Sequence, residues 1–96
     1  MMDKERLRDL AVVLDKEMRG AAEKSREVAK LAEYQPLVKA IGRAKRMEID
    51  TPEELPGISW WLSETDIRSF KNLELAISNF RWFLEGLDQI FPDAQG

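Results

Sequence analysis

Apolar residues in this chain recur in steps of three and four, and no stretch alternates in twos long enough to make a strand. The first run is Leu7, Leu10, Ala11, Leu14, Met18, Ala21, Val28 and Ala32. The second, and the more regular, is Leu73, Ala76, Ile77, Phe80, Phe83, Leu84, Leu87 and Ile90. A spacing near 3.6 lines one face of an α-helix, whereas a half-buried strand needs a spacing of two. The chain is therefore expected to be all-α, a small antiparallel bundle in which a few amphipathic helices share one core.

Local signals set the expected boundaries. Asp3 can cap a first helix running from about residue 3 to 33, with charges of alternating sign on its exposed positions. Gly20 lies inside it, and with Ala21, Ala22, Ala29 and Ala32 suggests close approach of another helix. Tyr34-Gln35-Pro36 breaks the pattern, and a second helix is expected over 36–47, with Arg43, Lys45 and Arg46 near its negative end. Thr51-Pro52-Glu53-Glu54 reads as a capping box for a short turn over 52–56 that Pro56-Gly57 stops. Ser63-Glu64-Thr65-Asp66 offers a second serine cap, giving short helical structure over about 60–70 with Ile67 and Phe70 inward. Asn72 can cap a third main helix over 72–90, which Pro92 ends, and residues 93–96 are expected to fray. All 96 residues form one expected domain.

Composition excludes whole classes of chemistry. There is no cysteine and no histidine. Thiolate metal sites, disulfide frameworks, imidazole triads and Glu-x-x-His di-iron sites are thereby removed. No phosphate-cradling glycine motif occurs, and the acidic residues lack the spacing of a calcium loop. Neither a cofactor nor a metal is expected, nor an enzyme: two opposed carboxylates could in principle work on a glycoside, but a bundle of this size rarely offers the cleft that needs. The charged N-terminus does not read as a signal peptide, and no stretch approaches a membrane span, so a cytoplasmic setting is expected.

The charge is unevenly placed. Residues 1–47 hold twelve Lys/Arg against eight Asp/Glu, and residues 48–96 hold three against ten. Between Met47 and Ile67 there is no cation at all, but six carboxylates: Glu48, Asp50, Glu53, Glu54, Glu64 and Asp66. The same segment carries adjacent tryptophans, Trp60 and Trp61. Neighbouring residues on a helix point about 100° apart, so both rings cannot easily enter one small core. The bland reading puts one in the core and the other half-covered. The functional reading stands at least one at a partner interface, where tryptophan anchors and surrounding carboxylates speed encounter with a basic target.

Other readings compete with this one. Lys39, Arg43, Lys45 and Arg46 make a basic patch on the second helix, which could serve a DNA-binding or phage-type regulatory protein. The would-be reading helix of a helix-turn-helix would carry Glu64 and Asp66, which phosphates repel, so nucleic acid is disfavoured. A helical adaptor or chaperone is a second alternative and requires a contiguous exposed apolar patch. A coiled coil through the first helix fails because Glu17 and Lys24 fall on its seam. Self-association through another face stays open.

Tyr34-Gln35-Pro36-Leu37-Val38-Lys39-Ala40-Ile41 resembles the start of the second helix in small all-helical immunity proteins of interbacterial toxins, contact-dependent or type VI-secreted. The resemblance covers about a dozen residues around Tyr34–Ile41. It implies a bacterial, non-enzymatic inhibitor that occludes the active site of a cognate toxin acting on nucleotides or nucleic acids. A physical argument runs the same way. Clefts that bind nucleotides or nucleic acids are lined with cations, so an inhibitor of one should present carboxylates around a rigid aromatic anchor. Glu53, Glu54, Trp60, Trp61, Glu64 and Asp66 are the residues expected to bind such a partner.

Overall fold

The computed structural model describes residues 3–86. Within them the chain is all-α and contains no strand. Its helices are α1 (Lys4–Ala22), α2 (Arg26–Leu31), α3 (Gln35–Lys45), α4 (Ile58–Glu64) and α5 (Lys71–Leu84), with one 3-10 turn, Asp66–Ser69, between the last two. None of the described helices is long and apolar enough to cross a membrane.

Helix α1 is the centre of the bundle and packs against α5, α3 and α2. Its inward stripe is Leu7, Ala11, Leu14, Met18 and Ala21. That stripe meets Leu73, Ala76, Ile77, Phe80, Phe83 and Leu84 of α5, all buried, in a single core cluster. Full burial of a side chain such as Phe80 stabilises the fold by about 1.5–3 kcal/mol. Helix α4 sits at the periphery, where its main neighbour is the 3-10 turn, and Ile58 is its buried residue.

The expected first helix is two helices. Asp3 caps α1 by accepting the Arg6 N–H, but the helix ends at Ala22, and Ser25 starts α2 by accepting the Val28 N–H. Ser25 is 7% exposed, the one buried polar side chain among the described residues. Its hydroxyl lies 2.8 Å from both carboxylate oxygens of Asp66. The break is thus fixed by a residue 41 positions away, while the Glu27 carboxylate accepts the Asp66 N–H at 3.2 Å. Gly20 stands beside open space rather than at a close helix crossing.

Helix α3 begins at Gln35 with Pro36 in its first turn, as Pro36 foretells, and ends at Lys45. Its termination uses Met47 in a left-handed conformation, φ 58°. The Met47 N–H then reaches the Ala44 carbonyl at 3.0 Å and the Glu48 N–H the Arg43 carbonyl at 2.9 Å, which satisfies two carbonyls of the last turn.

Residues 52–55 are not helical, so the capping box at Thr51 is not formed. They make an extended strap over the end of α5. The Glu53 N–H donates to the Leu84 carbonyl at 2.9 Å, and Ile49 and Leu55 on either side are buried. Two prolines bracket too few residues to nucleate a helix, and the free carbonyl at the end of α5 offers a better acceptor. Ser63 is likewise no cap: its hydroxyl donates to the Ser59 carbonyl at 3.0 Å, and Thr65 caps the 3-10 turn by accepting the Ile67 N–H. Ile67 is buried and Phe70 packs against the core. Phe70, not Asn72, stands at the start of α5, which begins at Lys71. That helix stops at Leu84 because Gly86, φ 79°, turns the chain. Positions 87–90 of the expected third helix, and the expected fraying over 93–96, lie outside the described residues.

Candidate functional site

Gly57 sets the direction of α4. It adopts φ 77° immediately before Ile58, and the Tyr34 hydroxyl occupies the space where a Cβ would stand. That hydroxyl donates to the Pro56 carbonyl at 2.5 Å. The Tyr34 ring packs tilted on Trp61, with centroids 5.6 Å apart, and Trp61 packs against the core. Trp60 then stands edge-on to Trp61, with centroids 5.5 Å apart and an interplanar angle of 89°. The pair therefore divides: Trp61 is half-buried, and Trp60 is 58% exposed. An edge-to-face contact of this kind fixes ring orientation and contributes about 0.5–1.5 kcal/mol beyond burial. Trp60 is an exposed aromatic already held in place.

In the sequence Tyr34 stands at a helix break and opens the Tyr34–Ile41 segment, and neither place points to Trp61. Its place beneath Trp61 depends on the path of Pro56-Gly57, which no local pattern around Tyr34 encodes.

The six carboxylates of the cation-free segment separate into two groups. Glu48 pairs with Arg46 at 2.9 Å, Asp50 pairs with Lys4, and Glu53 forms a two-pronged pair with Arg43 at 2.8 and 2.7 Å. Asp66 receives the Ser25 hydroxyl. Glu54 and Glu64 are exposed and make no ion pair or side-chain hydrogen bond among the described residues. Glu64 follows Trp60 by four positions on α4, so the two side chains are neighbours on one helix face. Glu54 borders a shallow depression of about 330 Å³ with Pro52, Glu53 and Glu85. Of the six expected binding residues, Trp60, Glu54 and Glu64 are open to a partner. Asp66 is exposed as well but takes the Ser25 hydroxyl, while Trp61 and Glu53 are half-buried and hold the scaffold.

The segment lacks cations because its cations come from elsewhere in the chain. Arg43 lies at the end of α3, where Glu53 pushes its guanidinium pKa up through their hydrogen bonds and charge. Lys45 turns the other way, to Asp15 of α1 at 2.6 Å, with Arg19 on the same carboxylate at 3.1 Å. Burial opposes ionisation of Asp15, but the hydrogen bond from Lys45 and the charges of Lys45 and Arg19 outweigh it and lower the pKa. Three of the four cations of the basic patch on α3 are thus spent inside the molecule, and Lys39 remains exposed.

Among the described residues no three carboxylates converge on a point that would hold a cation. The exposed large apolar residues among those described are Val12 and Val13 on α1, Trp60 on α4, and Leu75 and Trp82 on α5. No protein-family model, no curated protein and no solved structure matches this chain.

Proposed function

We propose that this chain is a non-enzymatic protein-binding inhibitor, an immunity protein or antitoxin that works in the bacterial cytoplasm by occluding the basic active-site cleft of a cognate toxin. The toxin acts on nucleotides or nucleic acids, because such substrates require the cationic cleft that this surface complements. One observation carries the reading: Trp60 is exposed and braced edge-on by Trp61, one helical turn before Glu64, on a helix that has no cation. A pre-positioned tryptophan loses little freedom on binding, and unpaired carboxylates beside it favour Lys and Arg of the partner. The basic end of α3 gives less support to DNA binding, since Arg43, Lys45 and Arg46 are each paired with a carboxylate of this chain.

Co-expression with the product of the adjacent gene tests the proposal. Growth is rescued, the two proteins co-purify, and Trp60→Ala speeds dissociation by about tenfold or more while leaving the fold intact. Glu54→Lys and Glu64→Lys slow association and flatten its dependence on salt. A neighbour that is harmless and does not co-purify removes the reading.

A further inference from the structure

Two tryptophans stand exposed on helices of this chain, and their surroundings differ in charge. Trp82 is 41% exposed on α5 and Trp60 58% exposed on α4. Trp82 has Glu85 three positions on, but the Glu85 carboxylate accepts the Arg81 guanidinium at 3.0 Å. Trp60 has Glu64 four positions on, and Glu64 makes no ion pair or side-chain hydrogen bond among the described residues. Arg68, the cation closest to Glu64 in sequence, turns to Glu74 at 3.7 Å instead. No lysine or arginine lies between Met47 and Ile67, and none follows Arg81. One exposed indole therefore stands beside a carboxylate already neutralised, and the other beside a carboxylate that is free.

We propose that Trp60 and Glu64 together receive one arginine side chain of the partner, its guanidinium stacked on the indole and its N–H edge donating to the carboxylate. The inference rests on the protein-binding role proposed above and narrows the partner from a basic surface to one kind of side chain. The contact between Trp60 and Trp61 is edge-to-face, with an interplanar angle of 89°, and such a contact covers at most one face of the Trp60 ring. A face is thus open for stacking. The four-residue spacing on α4 sets the Glu64 side chain beside that ring. A guanidinium is flat and weakly hydrated, so it lies on an aromatic face while the N–H groups at its rim stay free to donate to a neighbouring carboxylate. A lysine ammonium is a compact, strongly hydrated charge, and it cannot serve both groups in that geometry. Trp61 rests in turn on Tyr34, with centroids 5.6 Å apart, so the platform is held before the ligand arrives. Trp82, with its carboxylate spent on Arg81, is the comparison within the same molecule.

The test titrates Nα-acetyl-argininamide and Nα-acetyl-lysinamide into the isotope-labelled full chain at constant ionic strength. The indole N–H resonances of the three tryptophans are followed, with Trp60→Phe and Trp82→Phe used to assign them. The arginine compound is expected to move the Trp60 resonance along a saturating curve, with a dissociation constant on the order of 10 mM, and to leave the Trp82 resonance nearly still. The lysine compound is expected to bind about two- to fivefold more weakly. Glu64→Gln is expected to weaken the arginine compound by about twofold or more with an unchanged circular dichroism spectrum. No saturating shift at Trp60, equal shifts at Trp60 and Trp82, equal binding of the two compounds, or a Glu64→Gln chain that binds like the parent each overturns the proposal. These outcomes are distinct from those of co-expression. A chain that co-purifies with a toxic neighbour but shows no preference for arginine keeps the inhibitor and loses the arginine site, and a chain that prefers arginine beside a harmless neighbour does the reverse.

Discussion

Arg43 and Glu53 form a fork of two hydrogen bonds, 2.8 and 2.7 Å, that ties the last turn of α3 to the strap crossing the end of α5. The planar guanidinium matches the carboxylate atom for atom, so the pair fixes direction as well as distance. Glu53→Gln is expected to lower stability modestly. In an Arg43→Gln background the same change has almost no further effect. A double-mutant cycle followed by urea unfolding measures that coupling, which shrinks as salt is raised.

The Ser25–Asp66 contact carries two tasks at once, capping α2 and joining it to the 3-10 turn. Ser25→Ala removes the cap and leaves Asp66 without its donor, so a loss of about 1–3 kcal/mol is expected. Ser25→Asp keeps a capping oxygen but sets a second carboxylate against Asp66, and is expected to cost more than alanine. Chemical denaturation of the two variants decides the order. An Asp variant as stable as the parent would show that capping alone matters there.

Asp15 makes stability depend on pH in a defined direction. Its folded pKa lies below the ordinary carboxylate value, held there by Lys45 and Arg19 against the opposing effect of burial. The contribution is complete above an unfolded pKa of about 3.9 and is lost as pH falls through the lower folded value. Asp15→Asn is expected to cost about 0.5–1 kcal/mol at neutral pH, with solvent screening keeping it small. Thermal melts of parent and variant should differ by a constant amount above about pH 5 and converge below about pH 4.

Two glycines give opposite expectations. Gly57→Ala must hold a left-handed backbone, at a cost of roughly 1–2 kcal/mol, and must also displace the Tyr34 hydroxyl. Tyr34→Phe alone loses one hydrogen bond, about 0.5–1.5 kcal/mol, and is expected to recover part of the Gly57→Ala defect when the two are combined. Gly20→Ala places a methyl group in open space within α1 and is expected to stabilise by about 0.5–1 kcal/mol. Melting temperatures of the four variants against the parent test all three statements.

Helix content was legible because it rests on short-range periodicity. The stripe from Leu73 to Leu84 and the proline at the start of α3 carry their own positions. The failures share a cause. Glu23-Lys24-Ser25 contains neither glycine nor proline, and the one local signal there, a serine able to cap, is easily passed over inside a helical pattern; its hydroxyl is held by Asp66, 41 positions on in sequence. The Thr51 capping box is sound chemistry defeated by a competing acceptor, the Leu84 carbonyl. The acidic run from Glu48 to Asp66 looked like one surface, yet Lys4 and Arg43 reach it only once α1 and α3 have packed. What remained outside those pairings, Trp60 with Glu54 and Glu64, could not be separated from the rest by spacing alone.

The hydrogen bond from Glu53 to Leu84 also bears on how the molecule comes apart. Glu53 lies in a stretch with no regular structure, yet its amide is locked to the end of the helix that contributes most to the core. In amide exchange it is expected to be protected with the last turn of α5 and released when that turn opens. The strap and the last turn of α5 are thus expected to open as one unit assembled from segments distant in sequence. Trp60 is mounted on the edge of that unit, so the exposed ring keeps its place until this unit opens.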